Sequence, residues 1–300
     1  MTAPYVVSVI LNTNRRQDTL DCLASLAHST YQPHTALVVD NASTDGSVEA
    51  IRAAFPETQF VALAENRGYA GNNNVGLEWA VKHGADWVLI LNEDTVLDPE
   101  ALARLVEVGL SDAHIGIVGP MVYHFDEPDV IQTAGGVLGP HWFAGLMGYN
   151  ERDRGQYRDP RPVEWISGCA MLARRALIEQ VGLFDERFFI YWEEIDWCLR
   201  ARKAGWQLMQ VPQAKLWHKG VRRNYTPTPS VTYYTTRNRF LLLAKNHASL
   251  STWLVSVAST LRTLSSWTIR PKWREMRPHR DAMLQGLWDF ARRRWGVRAS

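Results

Sequence analysis

The chain of 300 residues holds three cysteines, Cys22, Cys169 and Cys198, none at metal-ligand spacing from another. A small disulfide-stapled secreted fold is thereby excluded, and a reducing compartment is expected. Pro4-Tyr5-Val6 runs directly into a strand pattern with no basic, then apolar, leader, so no signal peptide is expected. Long apolar runs are missing too. The longest stretch free of Asp, Glu, Lys and Arg, Val130 to Asn150, contains five glycines and a proline and reads as loop. Asn246 to Leu261 is 16 residues rich in Ser, Thr and His, short of the roughly 20 apolar residues of a spanning helix. Net charge is small at +2, but from Arg237 onward thirteen Lys and Arg face three acids. A basic tail on an acidic body implies an anionic partner, phospholipid or nucleic acid.

What is present suits a large core, with 46% hydrophobic and 21% charged residues. The length implies two units, or one α/β unit with an appendage. Strands are expected at Tyr5–Leu11, Ala36–Val39, Phe60–Leu63 and Trp87–Leu91, alternating with helices at Asp18–Ala27, Ser47–Ala54 and Asn72–Lys82. That alternation predicts an α/β, Rossmann-like, mainly parallel sheet flanked by helices. Met121–Arg161 is Gly, Pro and Asp-rich and stays unassigned. A strand through Val163–Ala173, a helix over Glu193–Ala204, a strand at Gln207–Val211 and helices from Tyr233 complete the reading. It divides the chain into a catalytic domain at 1–225 and a helical, basic extension at 226–300.

Ligands on parallel sheets gather at the carboxyl ends of the strands, and all four early ends are polar. They are Asn12-Thr13-Asn14-Arg15, Asp40-Asn41 with Asp45, Glu65-Asn66-Arg67-Gly68 leading to Asn72, and Asn92-Glu93-Asp94. Four polar ends on one edge describe a cleft. Asp94 is free for Mg²⁺ or Mn²⁺, because Asp98 before Pro99 serves the next helix as cap. Asp45 has an ordinary turn role open to it, whereas Asp40 ends a buried strand and needs a donor. Farther on, an aromatic wall through Trp192 precedes Glu193, Glu194 and Asp196. Asp196 is accounted for by the helix N-terminus and by Arg200 one turn on. Of Glu193 and Glu194, one is more than the helix start needs and is a candidate base near neutral pH, with crowding and burial raising its pKa. His218, followed by Arg222 and Arg223, suggests an anion site.

Together VSVILNTNRRQDTLDCLASL, VVDNASTDGS, ENRGYAGNNNVG, LILNEDT and GLFDERFFIYWEEIDWCLRARKAGW resemble glycosyltransferase family 2, the inverting GT-A enzymes, and its rhamnosyltransferase-like bacterial branch. These motifs span roughly Val6 to Gly220 in the family's order, and TTRNRFLLLAKN resembles the branch's C-terminal region. The resemblance implies a nucleotide-diphospho-sugar donor of dTDP or UDP type and a divalent metal, Mg²⁺ or Mn²⁺. It places Thr13, Asn14, Arg15, Asp40, Asn41 and Asp45 around the nucleoside, with Asn66, Gly68 and Asn72 near base, ribose or diphosphate. Asn92, Glu93 and Asp94 fall on the DxD position, with Asp94 and His218 as metal ligands. Glu194 falls on the base position, with Glu193 as the alternative; Trp192 and Arg222 complete the donor site. The sequence departs from the pattern at Asn92, where DxD has an acid, and at Glu194, where the base is Asp.

In the tail, Leu254, Val257, Leu261 and Leu264 recur at helical spacing, with Trp253, Trp267, Trp273, Trp288 and Trp295 among arginines. Such a segment either lies on an anionic bilayer or packs on the body. The implied acceptor is a glycan or polyprenyl-linked glycan in cell-envelope polysaccharide synthesis. The implied location is cytoplasmic, at the inner face of the membrane, and a homodimer stays open. Nucleic acid is disfavoured because no reading motif is present. A non-catalytic sugar- or nucleotide-binding relative is the alternative. A nucleotidyltransferase lacks its Gly-rich loop here, and an oxidoreductase its G-x-G-x-x-G.

Overall fold

A computed structural model describes residues 3–299. The strands are β1 (Val6–Asn12), β2 (His34–Asn41), β3 (Gln59–Leu63), β4 (Trp87–Asn92), β5 (Thr95–Leu97), β6 (Ile115–His124), β7 (Ile131–Thr133), β8 (Gly136–Leu138), β9 (Ala144–Leu146), β10 (Arg161–Pro162), β11 (Ala170–Arg174) and β12 (Gln207–His218). The helices are α1 (Arg16–Ala27), α2 (Ser47–Ala54), α3 (Gly68–Lys82), α4 (Ala101–Ser111), α5 (Arg175–Val181), α6 (Glu193–Lys203), α7 (Pro229–Lys245), α8 (Leu250–Ile269) and α9 (Arg277–Ala291).

The main sheet runs β10-β12-β6-β11-β4-β1-β2-β3, with β5 on β12 and β7 on β6. β3, β2, β1 and β4 are mutually parallel, and β12 is parallel to β6. β11 enters antiparallel between β4 and β6. Alternate residues of β1 feed two cores, as the pleat requires. Val7, Val9 and Leu11 pack towards α3, α6 and α7, while Val6 and Ile10 pack towards α1, α2 and α4. The mainly parallel α/β sheet anticipated from the sequence is present, with reversed strands in its second half.

Three differences from the sequence reading matter. β6, all ten residues buried, contains Gly116, Gly119 and Pro120 and runs into the stretch from Met121 that the sequence leaves unassigned. A Cβ on Gly119 would lie 2.5 Å from the Ile166 side chain, so this glycine serves close packing rather than a turn. β12 extends seven residues past Val211, through a register shift between Val211 and Lys215, to reach His218. β11 takes only the end of the segment expected as a strand from Val163, leaving Ser167-Gly168-Cys169 as a loop facing the end of β4.

The C-terminal helices do not stand away from the body. α7 reaches the 186–192 segment through Arg237 and Asn238, and Asp196 of α6 through Lys245 and Asn246. The choice between packing and bilayer contact that the sequence leaves open concerns the segment from Leu250 onward, which follows α7.

Candidate functional site at the sheet's carboxyl edge

β1 and β2 end side by side, and their polar tips bind one another. Asn12 Nδ2 donates to Asp40 Oδ1 at 2.6 Å and to Ser43 and Ser47 hydroxyls at 3.0 Å; Asn12 Oδ1 accepts from Thr19 at 2.8 Å. Asp40 Oδ2 accepts from the Ser43 amide at 3.0 Å. The donor that a buried Asp40 requires is thus internal, and no ligand group is needed to satisfy it. Asn41 donates to Thr13 Oγ1 at 3.2 Å, and Asn14 Oδ1 accepts from the Thr44 amide at 2.8 Å. Asp45 takes the turn role: it accepts from the amides of Arg16 and Ser47 at 3.1 Å each, opening α1 and α2. Thr13, Asn14 and Arg15 remain exposed on the rim.

α3 begins at Gly68 rather than Asn72, because Asn66 Oδ1 takes the Gly68 amide at 2.7 Å and Asn72 Oδ1 the Arg67 amide at 3.2 Å. Its polar residues also grip the aromatic segment. Asn74 exchanges both amide bonds with the Phe184 backbone at 2.9 and 3.0 Å, and Arg67 pairs bidentately with Glu186 at 2.8 and 2.9 Å.

At the end of β4, the Asn92 amide bonds the Cys169 carbonyl at 2.9 Å. Asp98, as expected, turns the chain into α4 by accepting from the Glu100 amide at 2.9 Å. Asp94 is buried and its Oδ1 makes no hydrogen bond. His218 Nε2 stands 3.1 Å from that oxygen without hydrogen-bond alignment. His218 Nδ1 is 3.0 Å from Gln132 Oε1, an acceptor. Nδ1 therefore keeps its hydrogen, and Nε2 meets Asp94 as an N–H when the ring is charged and offers a lone pair only when the ring is neutral. Burial raises the Asp94 pKa, but the His218 ring and Arg15 outweigh it and hold the carboxyl below its ordinary value. Gly220 closes the cradle: a Cβ there would strike Asp94 Oδ2 and come within 3.2 Å of His218 Nε2.

Two lone-pair atoms about 3 Å apart match adjacent ligands on a six-coordinate ion with bonds of about 2.1 Å. The His hydrogen bond to Gln132 is the outer support such ligands use. The pair fits a divalent cation completed by phosphate oxygens and water. Among the described residues no third His, Cys, Asp or Glu joins them.

Glu193 and Glu194 open α6, each with a buried Oε2 lacking any partner. Burial pushes Glu194 up to about 7, against the pull of backbone amides at the helix start. Burial and the Glu194 charge push Glu193 well above the ordinary carboxylate range. Cys169 and Tyr69 are near both groups of acids. Burial raises the Cys169 thiol to about 12, with Asp94 and Glu194 both adding to the shift. Tyr69, raised by burial and then by Glu193, Glu194 and Glu93, bonds the Gly168 carbonyl. Asp94 and Glu194 are thus both near enough to Cys169 to raise its pKa. Glu93 beside Asp94 is pushed up to about 7, first by burial and then by the Asp94 charge.

Trp192 sits before α6 with Arg239 over its ring at 5.5 Å, and Arg222 lies exposed just beyond Gly220. Asp196 pairs Arg200 at 2.9 Å as anticipated, and Lys245 at 2.7 Å in addition. Gln132, Tyr69 and Gly220 escaped the sequence reading. Gln132 lies in the glycine-rich stretch with no periodic signal, and Gly220 resembles any turn glycine.

The sequence model of Glycosyl transferase family 2 matches residues 8–182. The chain is 32% identical to an N-acetylglucosaminyl-diphospho-decaprenol L-rhamnosyltransferase of Mycobacterium tuberculosis, over 80% of this chain and 83% of that protein. It is 26% identical to the dTDP-rhamnosyl transferase RfbF of Shigella flexneri, over 84% and 85% respectively. Its fold is similar to that of a mannosyltransferase from Pyrobaculum calidifontis solved with GDP-Man and Mn²⁺, at a TM-score of 0.60 and 16% identity, over 97% of this chain and 88% of that one.

Proposed function

The chain belongs to glycosyltransferase family 2, and from that premise we propose that it is an inverting, metal-assisted transferase. It moves a sugar from a nucleotide-diphosphate donor to a hydroxyl of a glycan or lipid-linked acceptor in cell-envelope polysaccharide synthesis. The observation that carries the reading is an unbonded Asp94 oxygen 3.1 Å from His218 Nε2, together with the buried, unpartnered Oε2 atoms of Glu193 and Glu194. Rhamnose is the sugar proposed, because both relatives just named are rhamnosyltransferases by name, and dTDP is the donor type proposed from the name of the second.

In this reading Asp94 and His218 hold the cation, which when bound neutralises charge developing on the departing diphosphate. Glu194 removes the acceptor hydroxyl proton, and the oxygen attacks the anomeric carbon opposite the leaving group. One displacement inverts the configuration. Glu194, at about 7, is ionised for a useful fraction of molecules at neutral pH. Glu193 is also pushed up, by burial and by the Glu194 charge, so the pair resists carrying two buried charges at once. The polar tips of β1 and β2, with Asn66 and Asn72, frame the nucleoside side. Asn92, in place of an acid, leaves a single carboxylate on the cation.

A lipid-linked acceptor brings the enzyme to a membrane surface, and α8 suits one. Its buried positions are the polar Thr252 and Ser256, while Leu250, Leu254, Val257 and Leu261 are 75%, 62%, 41% and 56% exposed on the opposite side. A helix that turns leucines outward, next to Arg262, Arg270, Lys272, Trp267 and Trp273, matches the interface of an anionic bilayer. No described helix is long and apolar enough to cross a membrane. The test of the function is thermal-shift screening of dTDP, UDP and GDP with and without Mn²⁺, followed by turnover of the matching sugar nucleotides. Stabilisation by none of the three, in the presence of Mn²⁺, would overturn it.

A further inference from the structure

The backbone ahead of α6 is held in an unusual conformation. Phe189, Tyr191 and Trp192 have φ of +65°, +68° and +76°, a region bulky L-residues rarely enter. Such a turn persists only where its surroundings over-determine it. On one side it rests on the start of α3: the Ala70 amide donates to the Phe189 carbonyl at 3.1 Å, and a Cβ on Gly68 would collide with that carbonyl.

On the other side stand two residues of α7. Asn238 is fully buried, and its Nδ2 faces the carbonyls of Phe188 at 2.7 Å, Ile190 at 2.8 Å and Tyr191 at 2.9 Å. Its Oδ1 accepts from Arg237 Nε at 3.0 Å. Arg237, also fully buried, donates to the Phe188 and Arg187 carbonyls at 3.1 and 3.3 Å and to the Gly296 carbonyl at 2.8 Å. Among the described residues no carboxylate bonds this guanidinium directly; carbonyls and the rings of Tyr233 and Tyr234 surround it. Burying a charge and an amide in a helix face costs stability unless every group is used. Here the used groups converge on one five-residue turn, whose last residue precedes Glu193 and Glu194.

We propose that Asn238, braced by Arg237, is a positioning residue for sugar transfer, holding the 188–192 turn so that Glu194 enters the site at a set angle and shielded from water. The proposal rests on the reading of Glu194 as the base. It also gives the basic C-terminal region a role inside the reaction, separate from any contact with lipid. The turn lies between α3 and α7, so the same brace ties the base to the residues at the α3 start.

The test uses the full chain, with whichever of the dTDP and UDP sugars the wild-type protein turns over. The variants are Asn238→Ala, Arg237→Lys and Glu194→Gln. Asn238→Ala is expected to keep the Mn²⁺-dependent thermal shift with the nucleoside diphosphate and a donor KM within about threefold of wild type. Its kcat is expected to fall by about 30-fold or more, and the acid limb of its kcat–pH profile to move towards the ordinary Glu range as water reaches the carboxyl. The groups facing Glu194 in that titration are Glu193 and Cys198 on its own helix, Tyr69 of α3, Cys169 before β11 and Tyr191. If Asn238→Ala fails to fold, Arg237→Lys, which keeps the charge with fewer donors, carries the same comparison. Wild-type kcat and pH profile in the brace variants, with Glu194→Gln inactive, overturns the positioning role alone. Loss of the nucleotide thermal shift along with kcat overturns it too, in favour of general support of the fold. Undiminished turnover by Glu194→Gln overturns instead the base reading beneath it.

Discussion

Asp94 Oδ1 and His218 Nε2 face each other across 3.1 Å, though 124 positions separate them in the chain. β12 pairs antiparallel to β5, with His218 opposite Thr95, and that register brings the two together.

Gln132 fixes which His218 nitrogen keeps its lone pair. Gln132→Leu is expected to weaken Mn²⁺ binding by about 10–100-fold, read by isothermal titration in the presence of nucleoside diphosphate. Unchanged affinity would separate His218 from the cation.

Gly220→Ala puts a methyl group onto Asp94 Oδ2. The variant is expected to unfold at nearly the wild-type temperature yet lose at least about tenfold in turnover, with Mn²⁺ dependence shifted to higher concentration. Circular dichroism together with a metal titration of rate checks both halves.

Transfer by the wild-type enzyme is expected to rise with pH through about 7, because Glu194 acts deprotonated. Glu194→Gln is expected to lose about 10²–10⁴ in kcat, and Glu193→Gln less than tenfold. A reversed order would make Glu193 the base.

Folding stability carries the opposite trend. Glu193 and Glu194 have pKa values raised by burial, so between the unfolded value and the folded one the native state binds more protons. Stability from these groups is full below about 4.3 and declines as pH climbs through and beyond about 7. Glu193→Gln is expected to flatten this decline and raise Tm at pH 8 relative to wild type, with little change at pH 5. A parallel fall in both proteins would place the ionisation elsewhere.

Leu254→Glu with Leu261→Glu is expected to abolish co-sedimentation with vesicles containing phosphatidylglycerol while sparing turnover of a soluble acceptor. Equal binding by the double variant would free α8 from the membrane role.

By itself the sequence determined the alternation of strand and helix, the four polar strand ends and the family, and it singled out the acids at 94, 193 and 194 as candidates. Those are properties of local periodicity and of motifs that keep their spacing along the chain. It could not decide that Asp40 and Asp45 spend their oxygens on neighbouring loops, because Asn12 and Arg16 reach them only once β1 and β2 pair. Nor could it reveal β6, whose glycines have Ile166 and Leu177 packed against them only in the folded chain. Gln132 behind His218, and Asn238 beneath the 188–192 turn, became legible only when β12 and α7 were laid across the body. An amide chooses its partners by distance in space, and nothing in its own neighbourhood of the chain records that choice.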